Sequence, residues 1–371
     1  MYLRHLYPAP KEYRENESVR FVFGVPVSMF VPADLPKAWT EQMKYLWNRF
    51  TCTAGELTIC HCAASNALTI GTIEPFPCRA GDAYALRADQ NGVSITAPTH
   101  EGLCDGFKTL LQLICPDDLT PGRESFYISS AEVHDASAIG FRAIHLCVFP
   151  ETKLYTLEKS VRLAGLLKFT HVVLEFWGML RYDSLPALAW KDLAFTKEQI
   201  RPLVRLANSL GMEVIPMTNH LGHASQSRGG MGRHVVLNQN PRLSRLFEPD
   251  GWTWCASSPE TRRVLSDIRA ELCELCGDGS YFHLGMDEAY SYATCDRCRR
   301  RVPHELLAEY LNELTEDLCS KGRRPIIWHD QFLRRSDFTD GKASAVPAAN
   351  GDARRTDLAL PLLDRRIIMA D

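Results

Sequence analysis

From about Phe141 onward, short apolar runs alternate with amphipathic stretches, and this alternation leaves few folds open. Runs near Phe141–Cys147, His171–Phe176, Met212–Met217, Tyr281–Gly285, Pro325–Trp328 and Arg366–Ala370 predict strands. Between them, Leu157–Lys168, Lys197–Leu210, Pro259–Cys276 and Glu305–Ser320 carry apolar stripes at helical spacing. Strand and helix repeating in this way build a parallel sheet covered by helices. Strands buried on both faces need near-continuous apolar runs, and most of these have them. The expectation is therefore an α/β chain with a (β/α)8 TIM-type barrel. Six strands are counted where a closed barrel has eight, and the sequence stops at Asp371 just after the sixth. The barrel is expected to be C-terminally incomplete, and because an open barrel exposes unpaired strand edges, either the chain is a truncated form of a longer protein, the favoured reading, or a partner supplies the missing wall.

The rhythm before residue 135 is different. Val19 to Val27, Leu57 to Ile59, Leu68 to Ile73 and Val93 to Ala97 predict short strands, while Leu35 to Phe50 and Gly102 to Ile114 predict helices. Residues 1–135 thus form a small α+β accessory domain ahead of a barrel domain over 136–371. Asp117 to Arg123, with its prolines and glycine, predicts a surface loop.

Charge narrows the class of partner. The chain has 42 lysines and arginines against 45 aspartates and glutamates, so no broad field favours nucleic acid or an acidic membrane. No apolar run is long enough to cross a bilayer, and the N-terminus lacks the apolar core of a secretory signal. The 13 cysteines are odd in number and scattered, which predicts reduced thiols and a cytoplasmic location. The oligomeric state cannot be read from any of these features.

Polar residues gather at the C-terminal ends of the predicted strands: Glu175; Asn219 with His220 and His223; Asp287 with Glu288; His329 with Asp330. That rim is where a barrel of this type carries its active site. Any one of them could merely cap a strand at a solvated edge, but four strand ends together predict one polar pocket.

The segment Phe282-His283-Leu284-Gly285-Met286-Asp287-Glu288-Ala289 resembles the His-x-Gly-x-Asp-Glu signature of glycoside hydrolase family 20, the β-N-acetylhexosaminidases. Other segments are similar in the family's own order. Phe141-Arg142 resembles its opening strand, Gly211 to Pro216 with Gly222-His223 its third strand, and Ile326-Ile327-Trp328 its fifth. Gly92 to Ala97 and Gly102 to Leu113 resemble its small accessory domain. The chain departs from the pattern at Met286, Ala143, Cys147, Glu175 and Asn219, which marks a divergent member.

The resemblance implies an exo-acting hydrolase that removes a terminal β-linked N-acetylhexosamine with retention, without cofactor or metal. The substrate's own acetamido oxygen attacks the anomeric carbon, so no protein nucleophile is needed. Glu288 would then be the general acid, with a pKa raised toward neutrality, and Asp287 would orient the acetamide N–H and balance the developing positive charge. Arg142, Glu175, Trp328 and Asp330 are expected to bind the sugar, with His223, Asn219 and His283 supporting them from behind. Bland readings stand beside these: Arg142 as a structural ion-pair residue, His223 as a histidine satisfied by a backbone carbonyl, Trp328 as core. Two other classes also stay open. One is a catalytically impaired carbohydrate-binding pseudoenzyme on the same fold. The other is a metal-dependent hydrolase using His220, His223, His283 and Asp287.

Cys273 with Cys276 and Cys295 with Cys298 have the pair spacing of a four-cysteine zinc site. The pairs flank the fourth barrel strand, whose five residues span roughly 16 Å, so one ion cannot reach both. Cys295 and Cys298 are expected to remain reduced thiols, or to form a partial site with His304.

Overall fold

The computed structural model describes residues 6–24, 27–51, 57–61, 68–72, 81–116, 125–224, 237, 239–337 and 351–370. The expected loop at Asp117 to Arg123 lies outside them. The chain divides into two compact units, the first comprising Met1–Ala143, Lys159–Thr170 and Leu206–Met212, the second Ile144–Glu158, His171–Arg205 and Glu213–Asp371. The first unit therefore runs past the expected boundary at 135 and takes in two short later segments.

The first unit is built on an eight-stranded sheet with the strands β1 (Glu12–Phe23), β2 (Val27–Phe30), β3 (Leu57–Cys60), β4 (Leu68–Thr72), β5 (Tyr84–Asp89), β6 (Gly92–Ala97), β7 (Cys115–Pro116) and β8 (Phe126–Asp135). The order is β1-β8-β5-β6-β4-β2-β3, with β7 also paired to β8. Two helices accompany it, α1 (Lys37–Phe50) and α2 (His100–Leu113). β5 and β8 are absent from the sequence-based expectation. Tyr84, Leu86 and Ala88 face the core in alternation with Ala85, Arg87 and Asp89, so β5 has the pattern of a half-buried strand and lacks a continuous apolar run. α2 starts where the Thr99 hydroxyl accepts the Gly102 N–H, and it lies unusually close to the sheet. A Cβ on Gly102 would fall 2.2 Å from the Ala83 carbonyl oxygen, and one on Gly106 would fall 2.4 Å from Ile95 Cγ2.

The second unit carries the parallel sheet. Its strands are β9 (Ala143–Val148), β10 (His171–Phe176), β11 (Glu213–Met217), β12 (Tyr281–His283), β13 (Arg324–Trp328) and β14 (Ile368–Ala370). They neighbour one another in chain order, β9 to β14, as the strands of a winding barrel do. Parallel register links His171 to Glu213, Met217 to His283, Phe282 to Pro325 and Ile326 to Ile368. Along the chain these strands alternate with the helices α3 (Leu154–Leu166), α4 (Lys197–Ser209), α5 (Pro259–Cys276) and α6 (Pro303–Ser320), of which α3 from Lys159 and α4 from Leu206 count with the first unit. α5 begins cleanly because Ser258 Oγ accepts the Thr261 N–H and Pro259 occupies the first turn. It ends at Gly277, whose φ of 73° few other residues adopt. β10 is buried at every residue after His171, whereas the end strands β9 and β14 are only half-buried along most of their length. The sheet is thus an open, barrel-type half-cylinder, the incomplete (β/α)8 barrel anticipated from the sequence.

Gly102→Ala should lower the stability of the first unit by about 1–3 kcal/mol, because the new methyl meets backbone that cannot step aside. Gly71, whose Cβ would meet nothing within 4 Å, supplies the control. Urea midpoints of the two variants against the parent would check this, and equal midpoints for Gly102→Ala and Gly71→Ala would contradict it.

Candidate active site

β12 ends at His283, and the next five residues form an unusual turn. Gly285 (φ 68°), Met286 (φ 82°) and Glu288 (φ 49°) all have left-handed backbone, which for the two non-glycine residues costs of order 1 kcal/mol or more each. Hydrogen bonds over-determine the turn. Leu284 N–H donates to Ile326 O (2.8 Å), Gly285 O accepts from Trp328 N–H (2.9 Å), and Gly285 N–H donates to His283 Nδ1 (3.0 Å). Glu288 N–H donates to Asp330 Oδ2 (2.9 Å), and Glu288 O accepts the Trp252 indole N–H (2.8 Å). Gly285 and Gly222 are required by space. A Cβ on Gly285 would sit 1.6 Å from Asn219 Oδ1, and one on Gly222 would sit 1.9 Å from the Asp287 carbonyl oxygen.

The turn delivers Asp287 and Glu288 to one imidazole. His223 Nε2 lies 3.2 Å from Asp287 Oδ2 and 3.2 Å from Glu288 Oε2. Two indoles enclose the histidine, Trp252 at 4.4 Å and Trp177 at 4.9 Å between ring centroids. Burial alone would discharge His223, but its hydrogen bonds to Asp287 and Glu288 outweigh it and raise its pKa to about 9. The same histidine lowers the Glu288 carboxyl below its ordinary value, against the opposing effect of burial. The expectation that Glu288 is raised toward neutrality is therefore corrected. The charged imidazole, 3.2 Å from Glu288 Oε2, sets the direction of the shift. Asp287 Oδ1 is buried and has no hydrogen-bond partner among the described residues.

Beside this triad stands a second polar group. Glu175 Oε1 accepts from Asn219 Nδ2 (2.8 Å), while Glu175 Oε2 is 3.1 Å from His145 Nε2 and 3.4 Å from Cys147 Sγ. Burial would lower the His145 pKa, but its hydrogen bonds with Cys147 Sγ (3.5 Å) and with Glu175 raise it to about 10. Trp328 packs against His283 (4.6 Å) and His145 (5.9 Å). His283 is kept neutral, its pKa lowered to about 3 by burial and by His145.

The structure thus brings together Asp287, Glu288, His223 and Asp330, and sets Glu175, Asn219, His283 and Trp328 in contact with one another or with the turn. Arg142 is not among them. It precedes β9, at the end where that strand begins, and its guanidinium pairs with Asp82 (3.2 Å) and donates to the carbonyls of Lys168 and Ile139 in the first unit. The ion-pair reading of Arg142 replaces the sugar-binding one. A metal held by His220, His223, His283 and Asp287 also fails on geometry. The His220 ring nitrogens contact the Thr218 carbonyl (2.8 Å) and Arg269 (3.0 Å), and His283 Nδ1 is used by Gly285. Sequence reasoning missed Trp252, Trp177 and His145. For Trp252 a signal existed in Pro249-Asp250-Gly251-Trp252, a turn followed by an aromatic side chain.

Residues 173–356 match the catalytic domain of glycosyl hydrolase family 20, and residues 4–136 match domain 2 of that family. The chain is 26% identical over 301 residues to a beta-hexosaminidase of Porphyromonas gingivalis, covering 73% of this chain and 38% of that protein. It is 25% identical over 230 residues to a probable beta-hexosaminidase of Drosophila melanogaster, covering 56% and 34%. The chain therefore spans between a third and two fifths of these relatives' length. Among solved structures, an exo beta-N-acetylglucosaminidase of Vibrio harveyi in complex with N-acetylglucosamine superposes with a TM-score of 0.73 at 16% identity, over 98% of this chain and 60% of that one. A Streptomyces plicatus N-acetyl-beta-hexosaminidase superposes with a TM-score of 0.69 at 19% identity, over 89% and 66%.

Because the folded pKa of His223 lies above the ordinary 6.5, folding takes up a proton there. The resulting stabilisation is complete below about pH 6.5 and lost as pH rises through about 9. The difference in unfolding free energy between the parent and His223→Asn should shrink over that window. A difference independent of pH from 6 to 10 would mean that the imidazole is not charged in the folded chain.

Proposed function

The chain belongs to glycosyl hydrolase family 20, and from that premise we propose that it removes a terminal β-linked N-acetylhexosamine by substrate-assisted, retaining hydrolysis. The observation that carries the reading is the division of labour between the two oxygens of Asp287. Oδ2 is held by His223, while Oδ1 is buried with an unused acceptor. A buried carboxylate oxygen without a donor is costly, and an acetamide N–H is a donor of the right kind. Bound there, the acetamide is aligned so that its carbonyl oxygen can reach the anomeric carbon, and the fixed charge of Asp287 favours the oxazolinium-like cation that results. Trp328 supplies an apolar wall for a pyranose face, and Asp330 keeps the Glu288 backbone in its strained conformation.

The leaving oxygen needs a proton. In the substrate-free site that proton rests on His223, since the imidazole is raised to about 9 and Glu288 is lowered. Glu288 Oε2 is within hydrogen-bond reach of His223 Nε2, so the pair acts as one acid with Glu288 as its outlet. Water displaced by the sugar weakens the solvation of both charges and favours the neutral imidazole with the protonated carboxyl. The dependence of kcat/KM on pH should accordingly fall as pH rises through about 9, and His223→Asn should move that limb to lower pH.

Glu288→Gln should lower turnover of a nitrophenyl β-N-acetylglucosaminide by about 10²–10⁴-fold with binding retained. Asp287→Asn should lose most activity on N-acetylated sugars and most of the affinity advantage of an oxazoline-mimicking thiazoline. The assays are run on the longest natural protein that carries this chain. Trapping a sugar covalently on Asp287 would overturn substrate assistance. Binding of N-acetylglucosamine by a parent protein with no measurable turnover would favour the carbohydrate-binding reading.

A further inference from the structure

Glu248, Cys255, Cys295 and Cys298 have no part in the reaction proposed above, yet each offers one ligand atom, and these four atoms lie within 4.8 Å of one another. Cys255 Sγ is 3.5 Å from Cys295 Sγ and 3.6 Å from Cys298 Sγ. A disulfide requires about 2.05 Å. Two sulfurs at the corners of a tetrahedron with zinc–sulfur bonds of about 2.3 Å stand roughly 3.8 Å apart, close to what is seen. His304, the sequence-based candidate for a ligand beside Cys295 and Cys298, does not belong to the group, and neither do Cys273 and Cys276, which lie in the last turn of α5.

The set is built as a site. Cys255 and Cys298 are 0% exposed and Glu248 is 1% exposed. Glu248 Oε2 is fully used, accepting from Cys295 N–H (2.6 Å), Thr294 N–H (3.0 Å) and the Thr294 hydroxyl (3.2 Å). Its other oxygen, Oε1, is buried with no hydrogen-bond partner among the described residues. An orphaned carboxylate oxygen beside three thiols is expensive to bury without a cation to receive it. The Cys298 N–H points to Cys295 Sγ (3.4 Å), an arrangement that suits a sulfur carrying negative charge.

We propose that Glu248, Cys255, Cys295 and Cys298 hold a zinc ion in a closed four-coordinate site. Three thiolates and a carboxylate suit zinc in charge and softness, and with all four positions filled from the chain the ion is structural. Its task follows from what it joins. Cys295 and Cys298 lie on the segment that follows Glu288. Glu248 and Cys255 close a loop whose ends pair through Phe247 with Trp254 and through Glu248 N–H with Thr253 O (2.7 Å). At the tip of that loop, Trp252 holds the Glu288 carbonyl and packs on His223. The ion ties these two segments together and thereby fixes the indole against the acids.

The test is metal analysis of the full chain, purified without chelator under reducing conditions after growth with added zinc. About one zinc per chain is expected for the parent, and Cys255→Ser and Cys298→Ser should abolish it. Glu248→Gln should weaken zinc binding by tenfold or more in competition with a chromophoric chelator. Cobalt replacing zinc in the parent should give the sulfur-to-metal charge-transfer band and the intense visible bands of a tetrahedral thiolate site. Should the serine variants fail to fold, the parent's stoichiometry and cobalt spectrum still decide. A metal-free parent whose three thiols react freely in the native state would overturn the proposal. So would a disulfide between any two of them in protein from a reducing cytosol, or undiminished zinc in the Cys255→Ser, Cys298→Ser double variant. None of these readouts depends on sugar hydrolysis.

Discussion

One imidazole nitrogen, His223 Nε2, stands 3.2 Å from a carboxylate oxygen of Asp287 and 3.2 Å from one of Glu288, and the local architecture is arranged to keep it there. Adjacent carboxylates on one turn would repel each other and relax toward solvent unless a cation lay between them. The left-handed backbone at Met286 and Glu288 turns both acids toward His223, and His223 itself has a φ of 52°. Gly222 lets the histidine's strand end pass within touching distance of the Asp287 backbone, and Gly285 lets Asn219 nest against the turn. The strain at these residues is opposed by hydrogen bonds with β13, with the Asp330 carboxylate, which accepts the Glu288 N–H, and with the donating Trp252 indole.

The parallel sheet was legible because its inner strands are continuous apolar runs. β10 matches the expected His171–Phe176 residue for residue, since burial on both faces leaves no alternation to confuse the reading. β5 was not, because every second residue is polar or small and its identity as a strand comes from pairing with β6 and β8. At the site, Asp287, Glu288, His223 and Asp330 could be named because each lies at the end of a strand next to a motif. Arg142 was assigned to the wrong company for a related reason. A motif gives the neighbourhood of a residue along the chain, whereas the direction of its guanidinium is fixed by Asp82 and by two carbonyls distant in sequence or folded back. The support of Glu288 by His223 was anticipated, but the direction of the Glu288 shift was missed because it depends on the charge the imidazole carries once two acids surround it.

The short segment from Phe247 to Trp254, ahead of α5, illustrates how a turn can be specified by side-chain contacts. Asp250 accepts the N–H groups of Trp252 (3.0 Å) and Thr253 (3.3 Å), and Gly251 turns the chain at a φ of 71°. Trp254 is buried and stacked on Phe247 at 4.4 Å, with its indole donating to Asn219 O (3.0 Å). Two tryptophans separated by one residue therefore face opposite duties, one in the packed interior and one against the acids. The bends at Gly251, Trp252 and Thr253 make this possible, since in an extended strand residues two apart would face the same side.

The histidine's shared proton has a consequence for what the pocket tolerates. Two carboxylates and one imidazolium sum to −2 + 1 = −1, so in its resting state the cluster around His223 presents a single net negative charge in a partly enclosed setting. Coulomb repulsion at about 4 Å and an effective dielectric constant near 20 amounts to roughly 4 kcal/mol per unit charge. Ligands bearing sulfate, phosphate or carboxylate beside these two acids are disfavoured on that ground alone. Protonated amines placed there are drawn in by the same field, and their affinity will weaken as added salt screens it.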